Sequence, residues 1–296
     1  MTDKIINIAV IGDVHDLWNE FDHEALEFLQ VDLVLFVGDF GNESIPLISQ
    51  IAQLNIPKAI VLGNHDAWFS ATEWGRKKCP YDRILEDRVQ QQLDILGKFH
   101  VGYGYLDFPE LDISVVGSRP FSWGGSKWKC EEFYREKYAI ENFNQSSDRI
   151  IASVNKTQTQ QIIFIGHNGP FGLGANPEDT CGRDWKPLGG DFGDPDFQEA
   201  IKYTQELGKN VPLVTFGHMH HSLRHTKDRL RTIINQDEHK TIYLNAASTP
   251  RIQEIEGEKI HKFSLVTLDT GIVTKIDLMA ISENMKVKDT INLYRK

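Results

Sequence analysis

The stretch VDLVLFVGDFGN, from Val31 to Asn42, is an apolar run that ends in glycine followed by aspartate. A short, β-branched run without polar alternation is typical of a strand buried on both faces. Four other stretches repeat this pattern, and each ends in glycine followed by Asp, Asn or His: Ile5–Asp13, Lys58–Asn64, Gln161–His167 and Pro212–His218. We therefore predict five buried strands, each with a polar residue directly beyond its carboxyl end.

Helical patterns separate the first three strands. In Asn19–Gln30, Asn19 is a predicted N-cap, and Phe21, Ala25, Phe28 and Leu29 share one face. In Ser44–Asn55, Ser44 is a predicted cap, and apolar residues recur at helical spacing: Leu47, Ile51 and Leu54. Strand and helix in alternation predict an α/β fold with a mostly parallel sheet. In such sheets ligands bind beyond the carboxyl ends of the strands, where the five polar residues lie.

The alternation of strand and helix patterns stops between Ala67 and Gln160. Residues 81–99 and 130–143 read as helices and residues 111–118 as a strand, whereas residues 119–128 and 168–196 are irregular and rich in glycine. Loops of this length tend to be functional, so we expect residues 118–128 and 168–196 to build a substrate pocket. Near the end of the chain, Asp269–Gly271 predicts a hairpin. Without an internal repeat or linker, we predict one domain over 1–296, with insertions at about 67–157 and 168–196.

The composition narrows the class of partner. The 296 residues carry 32 basic and 42 acidic side chains and a formal net charge of −10, which disfavours nucleic acid as the main partner. No apolar run is long enough for a membrane-spanning helix. Three cysteines without a C-x-x-C pair predict neither a disulfide framework nor a zinc ribbon. We expect a cytoplasmic protein, and the sequence leaves its oligomeric state open.

The polar residues at the strand ends form a candidate metal site. Their side chains are carboxylate, amide and imidazole groups: Asp13, His15, Asp39, Asn64, His65, Asp66, His167, His218 and His220. Oxygen and imidazole ligands together suit divalent ions such as Mn, Fe, Zn or Co. The set contains no thiolate, which argues against a structural zinc site.

These residues fall into five sequence blocks in a fixed order. The blocks are D-x-H, G-D-x-x-[D/N], G-N-H-[D/E], a single His and G-H-x-H, and they run from residue 12 to residue 220. In this the chain resembles the calcineurin-like metallophosphoesterases. The resemblance implies a four-layer α/β/β/α sandwich, with two mixed sheets flanked by helices. It also implies two divalent transition metal ions (Mn, Fe or Zn) and hydrolysis of a phosphate mono- or diester of a small or medium-sized substrate by a metal-bridging hydroxide.

The resemblance also implies a role for each residue. Asp13, His15, Asp39 and His220 would bind the first metal ion, and Asn64, His167 and His218 would complete the second, with Asp39 bridging the two. His65 would stabilise the phosphate or protonate the leaving oxygen, and Asp66 would orient His65. The stretch Thr215–His225 contains a cluster of four histidines. Of the two that are not in the ligand set, we expect His221 to point away from the site and His225 to lie on the surface.

One departure from the family pattern affects the substrate. The segment GDFGNES has Asn42 and lacks the arginine that protein phosphatases of this family carry, so a protein substrate is not expected. Arg119 or Arg183 could replace that arginine. Two alternatives stay open at this stage: a non-catalytic protein-interaction scaffold, disfavoured because His65 is present, and a metal-dependent nuclease, disfavoured because basic residues are scattered.

Overall fold

A computed structural model describes residues 5–296 and contains two β-sheets. The first sheet takes strands from both ends of the chain: β1 (Ile5–Ile11), β2 (Leu33–Phe36), β3 (Lys58–Ile60), β10 (Ile252–Ile255), β11 (Glu258–Asp269), β12 (Ile272–Ser282) and β13 (Lys286–Arg295). The second takes the middle: β4 (Tyr105–Phe108), β5 (Ile113–Gly117), β6 (Gln161–Ile165), β7 (Asn210–Phe216), β8 (Ile234–Gln236) and β9 (Ile242–Asn245).

Both sheets are mixed. The first has the order β13-β12-β11-β1-β2-β3, with β10 paired to β11; β1, β2 and β3 are parallel, and the strands after them in the chain pair antiparallel. The second has the order β4-β5-β6-β7-β9-β8, in which β5, β6, β7 and β9 are parallel. The parallel strands place the polar ends of all five predicted strands at one edge of the two sheets.

Helices cover the outer faces of the sheets. Their bounds are α1 (Glu20–Phe28), α2 (Ile45–Ala52), α3 (Glu73–Lys78), α4 (Arg88–Leu96), α5 (Glu131–Tyr138), α6 (Phe143–Val154) and α7 (Pro195–Glu206). Side chains alternate along β2: Val34 and Phe36 pack under α1, α2, α4 and α5, whereas Leu33 and Leu35 pack against the second sheet. On the far side of that sheet, Phe164 packs under α6 and α7. Three apolar layers between four layers of secondary structure confirm the predicted α/β/β/α sandwich.

Several local predictions are confirmed. Asn19 caps α1, and its side chain accepts a hydrogen bond from the Phe21 N–H. The hairpin at Asp269–Gly271 joins β11 to β12 as an antiparallel pair. Residues 168–194 contain no helix or strand, as expected. None of the described helices is long and apolar enough to cross a lipid bilayer.

The structure corrects the buried face of α1. Phe28 was expected to face the core, but it is 48% exposed. The buried face is centred on Asp22 and Leu26 instead, because the Asp22 carboxylate accepts hydrogen bonds from Arg251 and His261. Phe28 therefore lies at the margin of the buried stripe.

Helix boundaries in the central region also differ from the prediction. Of residues 81–99, only α4 is α-helical, because the Asp87 side chain caps the Gln90 N–H and starts the helix there. Residues 130–143 contain α5 and only the first residue of α6, since Ala139 adopts a left-handed conformation with φ of 56° and ends α5. Helix α6 and strand β13 were not predicted at all.

Candidate metal centre

The loops after β1 and β2 are joined by backbone hydrogen bonds. The Asp13 N–H donates to the Gly38 carbonyl at 3.0 Å, and the His15 N–H donates to the Asp39 carbonyl at 2.9 Å. Asp13, His15 and Asp39 all have left-handed backbones, with φ of 51°, 46° and 56°. Aspartate and histidine are among the residues that tolerate this conformation best. The turns direct these side chains into the space between the two sheets' carboxyl ends.

Two glycines permit the close approach of these loops. A Cβ at Gly38, whose φ is +91°, would lie 2.6 Å from the Gly63 nitrogen and 2.7 Å from His167 Nδ1. A Cβ at Gly63 would lie 2.3 Å from Asp39 Oδ1. All three distances are far below van der Waals contact. Any larger residue at either position would separate Asp39 from His167.

Asp13, His15 and His220 form the first group of candidate ligands. His220 Nε2 lies 3.3 Å and His15 Nε2 3.9 Å from Asp13 Oδ1, and the two imidazole nitrogens are 3.4 Å apart. The His218 N–H donates to the buried Asp13 carboxylate, which fixes its direction. Burial is the largest single influence on Asp13 and opposes its ionisation, but the hydrogen bond to His220 and the charges of His220 and His167 together outweigh it and lower the pKa of the carboxyl. The group therefore presents an ionised carboxylate to two imidazoles.

Asp39, His167 and His218 form the second group, to which Asn64 adds an oxygen. His167 Nε2 lies 2.9 Å from Asn64 Oδ1, 3.2 Å from Asp39 Oδ1 and 3.2 Å from His218 Nδ1. His167 Nδ1 is 2.8 Å from the Val37 carbonyl, which can only accept, so the proton of the neutral ring is on Nδ1. Its Nε2 lone pair then faces the lone pairs of two oxygens. Either a proton on Nε2 or a bound cation would satisfy this buried arrangement.

The pKa values at the second group show the same demand for positive charge. Burial alone would lower the pKa of His167, but the Asp39 carboxylate outweighs burial and raises it to about 9. At His218, burial prevails and lowers the pKa to about 3. A neutral His218 and an Nδ1-protonated His167 both offer a free ring nitrogen, which is the form that binds metal ions. The donor set therefore fits a divalent transition metal.

Asp39 connects the two groups. Its carboxylate is buried and accepts the His65 N–H at 2.8 Å. The carboxylate is close enough to His167 and His218 to bind one ion with them, and it is equally close to His15 and His65 on the other side. Burial opposes its ionisation, but the nearby His167 outweighs burial and lowers the pKa of the carboxyl below its usual range. Asp39 is thus an anionic side chain within reach of ligands from both groups.

The imidazole of His65 borders this centre and contacts Asn42. Its Nδ1 lies 2.6 Å from Asn42 Oδ1, its ring stacks on Trp68, and the His15 ring approaches edge-on at 4.9 Å between centroids. Burial lowers the pKa of His65. In the sequence, Asn42 stood out only as part of a segment that lacks the expected arginine. Nothing in the sequence indicated that Trp68 would contact His65.

Asp66 has a different role from the one expected. Its carboxylate accepts the backbone N–H groups of Asp39, Phe40, Gly41 and Gly63, at distances of 3.1, 3.0, 3.4 and 2.7 Å. The side chain that hydrogen-bonds to the His65 ring is Asn42, whereas the Asp66 carboxylate bonds to backbone, which does not support the expectation that Asp66 orients this imidazole directly. Asp66 instead fixes the backbone that carries Asp39.

The two other histidines of the cluster are directed elsewhere. His221 is buried, its Nε2 lies 3.0 Å from the Asn245 carbonyl, and it belongs to neither group of candidate ligands. His225 is half-buried rather than a free surface residue, with Nε2 3.0 Å from Glu178 Oε1. Of the four clustered histidines, only His218 and His220 reach the centre.

The structure excludes Arg119 as a substrate arginine. Arg119 is 2% exposed, and its guanidinium donates to Asp196 at 3.0 Å and Asp194 at 2.8 Å. Arg183 is half-buried and donates from Nε to the Gly189 carbonyl. Arg224 is exposed, lies over the Trp185 ring, and is close enough for its charge to act on His220. The sequence contained no signal for Arg224 beyond its place four residues after a candidate ligand.

Comparison with known proteins agrees with this geometry. A family model described as calcineurin-like phosphoesterase matches residues 6–222, which contain every candidate ligand. No curated protein sequence shows significant similarity to the chain.

Solved structures resemble this chain at low sequence identity. One crystal structure, 12% identical, has a TM-score of 0.53, and the alignment covers 98% of this chain and 100% of that one. A dimetal phosphatase from Danio rerio is 12% identical, with a TM-score of 0.47 and coverage of 98% and 99%. A purple acid phosphatase from yellow lupin (Lupinus luteus) seeds is 16% identical, with a TM-score of 0.46 and coverage of 100% and 55%. At these identities the likeness concerns the fold alone.

Proposed function

This chain belongs to the calcineurin-like phosphoesterase family, and we propose that it hydrolyses a phosphate mono- or diester at a dinuclear metal centre. The observation that carries the proposal is the convergence of two candidate ligand groups on Asp39. One group alone would suit a single-metal or structural site. Two groups that share a buried carboxylate suit a pair of ions at the 3.5–4 Å spacing typical of two-metal phosphoesterases.

The proposed ligands divide as the geometry groups them. Asp13, His15 and His220 would hold one ion, and Asn64, His167 and His218 the other, with the Asp39 carboxylate shared. Mn, Fe and Zn all suit these oxygen and imidazole donors, so the identity of the ions depends on supply. When bound, such ions supply positive charge for the phosphoryl oxygens and activate water. The carbonyl of Val37 holds His167 in the ligating tautomer.

His65 is the proposed acid for the leaving oxygen. Asn42 Oδ1 accepts from Nδ1–H, so the second ring nitrogen, Nε2, is free to exchange a proton with substrate. Asp66 acts at a distance: it holds the backbone N–H groups around Asp39 and is a positioning residue. His65 and Asp66 therefore both remain in the proposed site, His65 as the proton donor and Asp66 as a positioning residue.

The substrate is proposed to be a small or medium-sized phosphorylated molecule. The net charge of −10 disfavours a polyanionic substrate such as nucleic acid. The irregular segments 118–128 and 168–196 both reach the site, because Trp123 stacks on Trp68 and Trp185 lies under Arg224. The exposed Arg224 is a better candidate than Arg119 for a second anionic group of the substrate. A cytoplasmic location stays a prediction, supported by three free thiols.

The test is hydrolysis of p-nitrophenyl phosphate and bis-p-nitrophenyl phosphate by protein loaded with Mn, together with metal analysis. We expect about two ions per chain, and turnover that falls strongly in both His65→Ala and Asp39→Asn. Only Asp39→Asn should also lose bound metal, because His65 is not a proposed ligand. The preferred ester would assign the protein as a mono- or diesterase.

Other outcomes would favour the alternatives. Metal-loaded protein without turnover of either ester would indicate a non-catalytic scaffold. Activity that survives complete removal of metal would contradict the proposed centre. Binding of single-stranded oligonucleotides with a steep salt dependence would favour a nuclease.

A further inference from the structure

Trp68 lies flat against the imidazole of His65. The ring centroids are 4.4 Å apart and the ring planes differ by 16°. His15 approaches His65 from another direction, nearly perpendicular at 83°. The imidazole is therefore confined between an indole face and an imidazole edge, in addition to its hydrogen bond to Asn42.

Trp68 is itself held in place by its surroundings. Its ring stacks on Trp123 at 5.4 Å and 25°, and Trp74 contacts it edge-on at 5.6 Å. Its carbonyl lies so close to Gly75 that a Cβ there would be 1.9 Å away, so α3 packs directly on the Trp68 backbone. The indole is thus a rigid surface and cannot turn away from His65 without moving its neighbours.

The two contacts on His65 restrain different motions. The hydrogen bond from Nδ1 to Asn42 fixes one ring atom, and Asn42 is exposed and can move. The indole face fixes the plane of the ring, and therefore the direction of Nε2. A catalytic group that is misplaced by about 1 Å can lose about 100-fold in rate. Fixing the plane of His65 is therefore of direct value to proton transfer.

We propose that Trp68 is a positioning residue that holds the His65 imidazole for proton donation to the leaving oxygen, an inference that rests on the proposed hydrolysis. In that reaction a water oxygen forms the new bond to phosphorus, and the ester P–O bond breaks. The leaving oxygen takes the Nε2 proton of the doubly protonated His65 ring, whose Nδ1–H is held by Asn42. The attacking water releases one proton to solvent, and solvent returns one proton to Nε2. The need for this proton depends on the leaving group: an unsubstituted phenolate needs it more than the stabler p-nitrophenolate.

The test compares phenyl phosphate with p-nitrophenyl phosphate in metal-loaded wild type, Trp68→Leu and Trp68→Phe. General acid catalysis typically contributes 10²–10⁴-fold. We expect Trp68→Leu to lower kcat by about tenfold or more with phenyl phosphate, by less than about threefold with p-nitrophenyl phosphate, and to leave KM and metal content unchanged. Trp68→Phe, which keeps an aromatic face, should recover most of the loss and serves if the leucine variant folds poorly.

Two further variants sharpen the result. His65→Ala with Trp68→Leu should be no slower than His65→Ala alone, because residues that act as one unit are not additive. Trp128→Leu removes an indole that packs on Tyr134 and Phe143 away from His65, so any loss should be equal for both esters. Equal losses for both esters in Trp68→Leu, no loss, or additivity with His65→Ala would overturn the inference. If the wild type prefers diesters, diphenyl phosphate and bis-p-nitrophenyl phosphate take the place of the two monoesters in the same comparison. A wild type that hydrolyses none of the four esters would instead refute the proposed function.

Discussion

Replacing Asp66 by asparagine tests whether this carboxylate holds the metal-binding loops together. Its Oδ2 accepts the N–H groups of Gly63 and Asp39 at 2.7 and 3.1 Å, and its Oδ1 accepts those of Phe40 and Gly41 at 3.0 and 3.4 Å. Asparagine can keep one of these pairs with its carbonyl oxygen. Its NH₂ group must then face the other pair, donor against donor.

The cost follows from the geometry. Keeping the shorter pair leaves the buried Phe40 N–H without an acceptor, while the Gly41 contact is too long to add much. An unsatisfied buried donor costs about 1–3 kcal/mol, and a hydrogen bond to a charged group contributes about 1.5–3 kcal/mol. Burial and the Asp39 carboxylate raise the pKa of Asp66, which reduces the advantage of the ionised wild type. We therefore expect a loss of about 2–3 kcal/mol in the free energy of unfolding.

The metal should be affected as well, because the lost anchor, the Phe40 N–H, belongs to the residue next to Asp39, and the Asp39 N–H keeps only a neutral acceptor. Loss of a group that supports a ligand typically weakens metal affinity by about 10- to 100-fold. The assays are urea unfolding of metal-free protein and Mn titration. Asp191→Asn is the matched control: Asp191 also accepts three backbone N–H groups, but from Gly172, Gly174 and Gly193 in the 168–196 segment. An Asp66→Asn protein with wild-type stability and metal affinity would refute this reasoning.

Two further predictions concern buried charges. Arg119→Met leaves the Asp194 and Asp196 carboxylates buried without their partner, so we expect urea unfolding to show a loss of about 3–5 kcal/mol; the exposed pair Arg76–Glu132 is the control, and a loss no larger than that of Arg76→Met would contradict the prediction. Burial raises the pKa of Glu43 from 4.5 to about 7, so the folded state binds this proton more tightly and wild-type stability should fall as pH rises from about 4.5 to about 7. The free energy of unfolding of Glu43→Gln minus that of wild type should therefore rise by at most about 3 kcal/mol between pH 5 and pH 8. Parallel pH profiles of stability for the two proteins would contradict the raised pKa of Glu43.

Short local patterns in the sequence predicted much of the fold. Each buried strand is a short apolar run that ends in glycine and a polar residue, and both features lie within about ten residues. The same holds for the Asn19 cap and the hairpin at Asp269–Gly271. Helix ends that depend on one backbone conformation were harder to place: the left-handed Ala139 ends α5 in a sequence that otherwise continues as helix.

Contacts between distant residues could not be read in this way. The sequence by itself determined which residue types follow each strand, and hence that oxygen and imidazole donors would be available for a metal. Only the tertiary structure decided how they group, since the His218 N–H and the Asp13 carboxylate are 205 residues apart and meet through the packing of two sheets. It also decided that Asn42 contacts His65, that Asp66 serves the backbone, and that Arg119 is buried in an ion pair. The physical reason is that a motif specifies donors and turns locally, whereas the partner and burial of each side chain depend on which strands become neighbours.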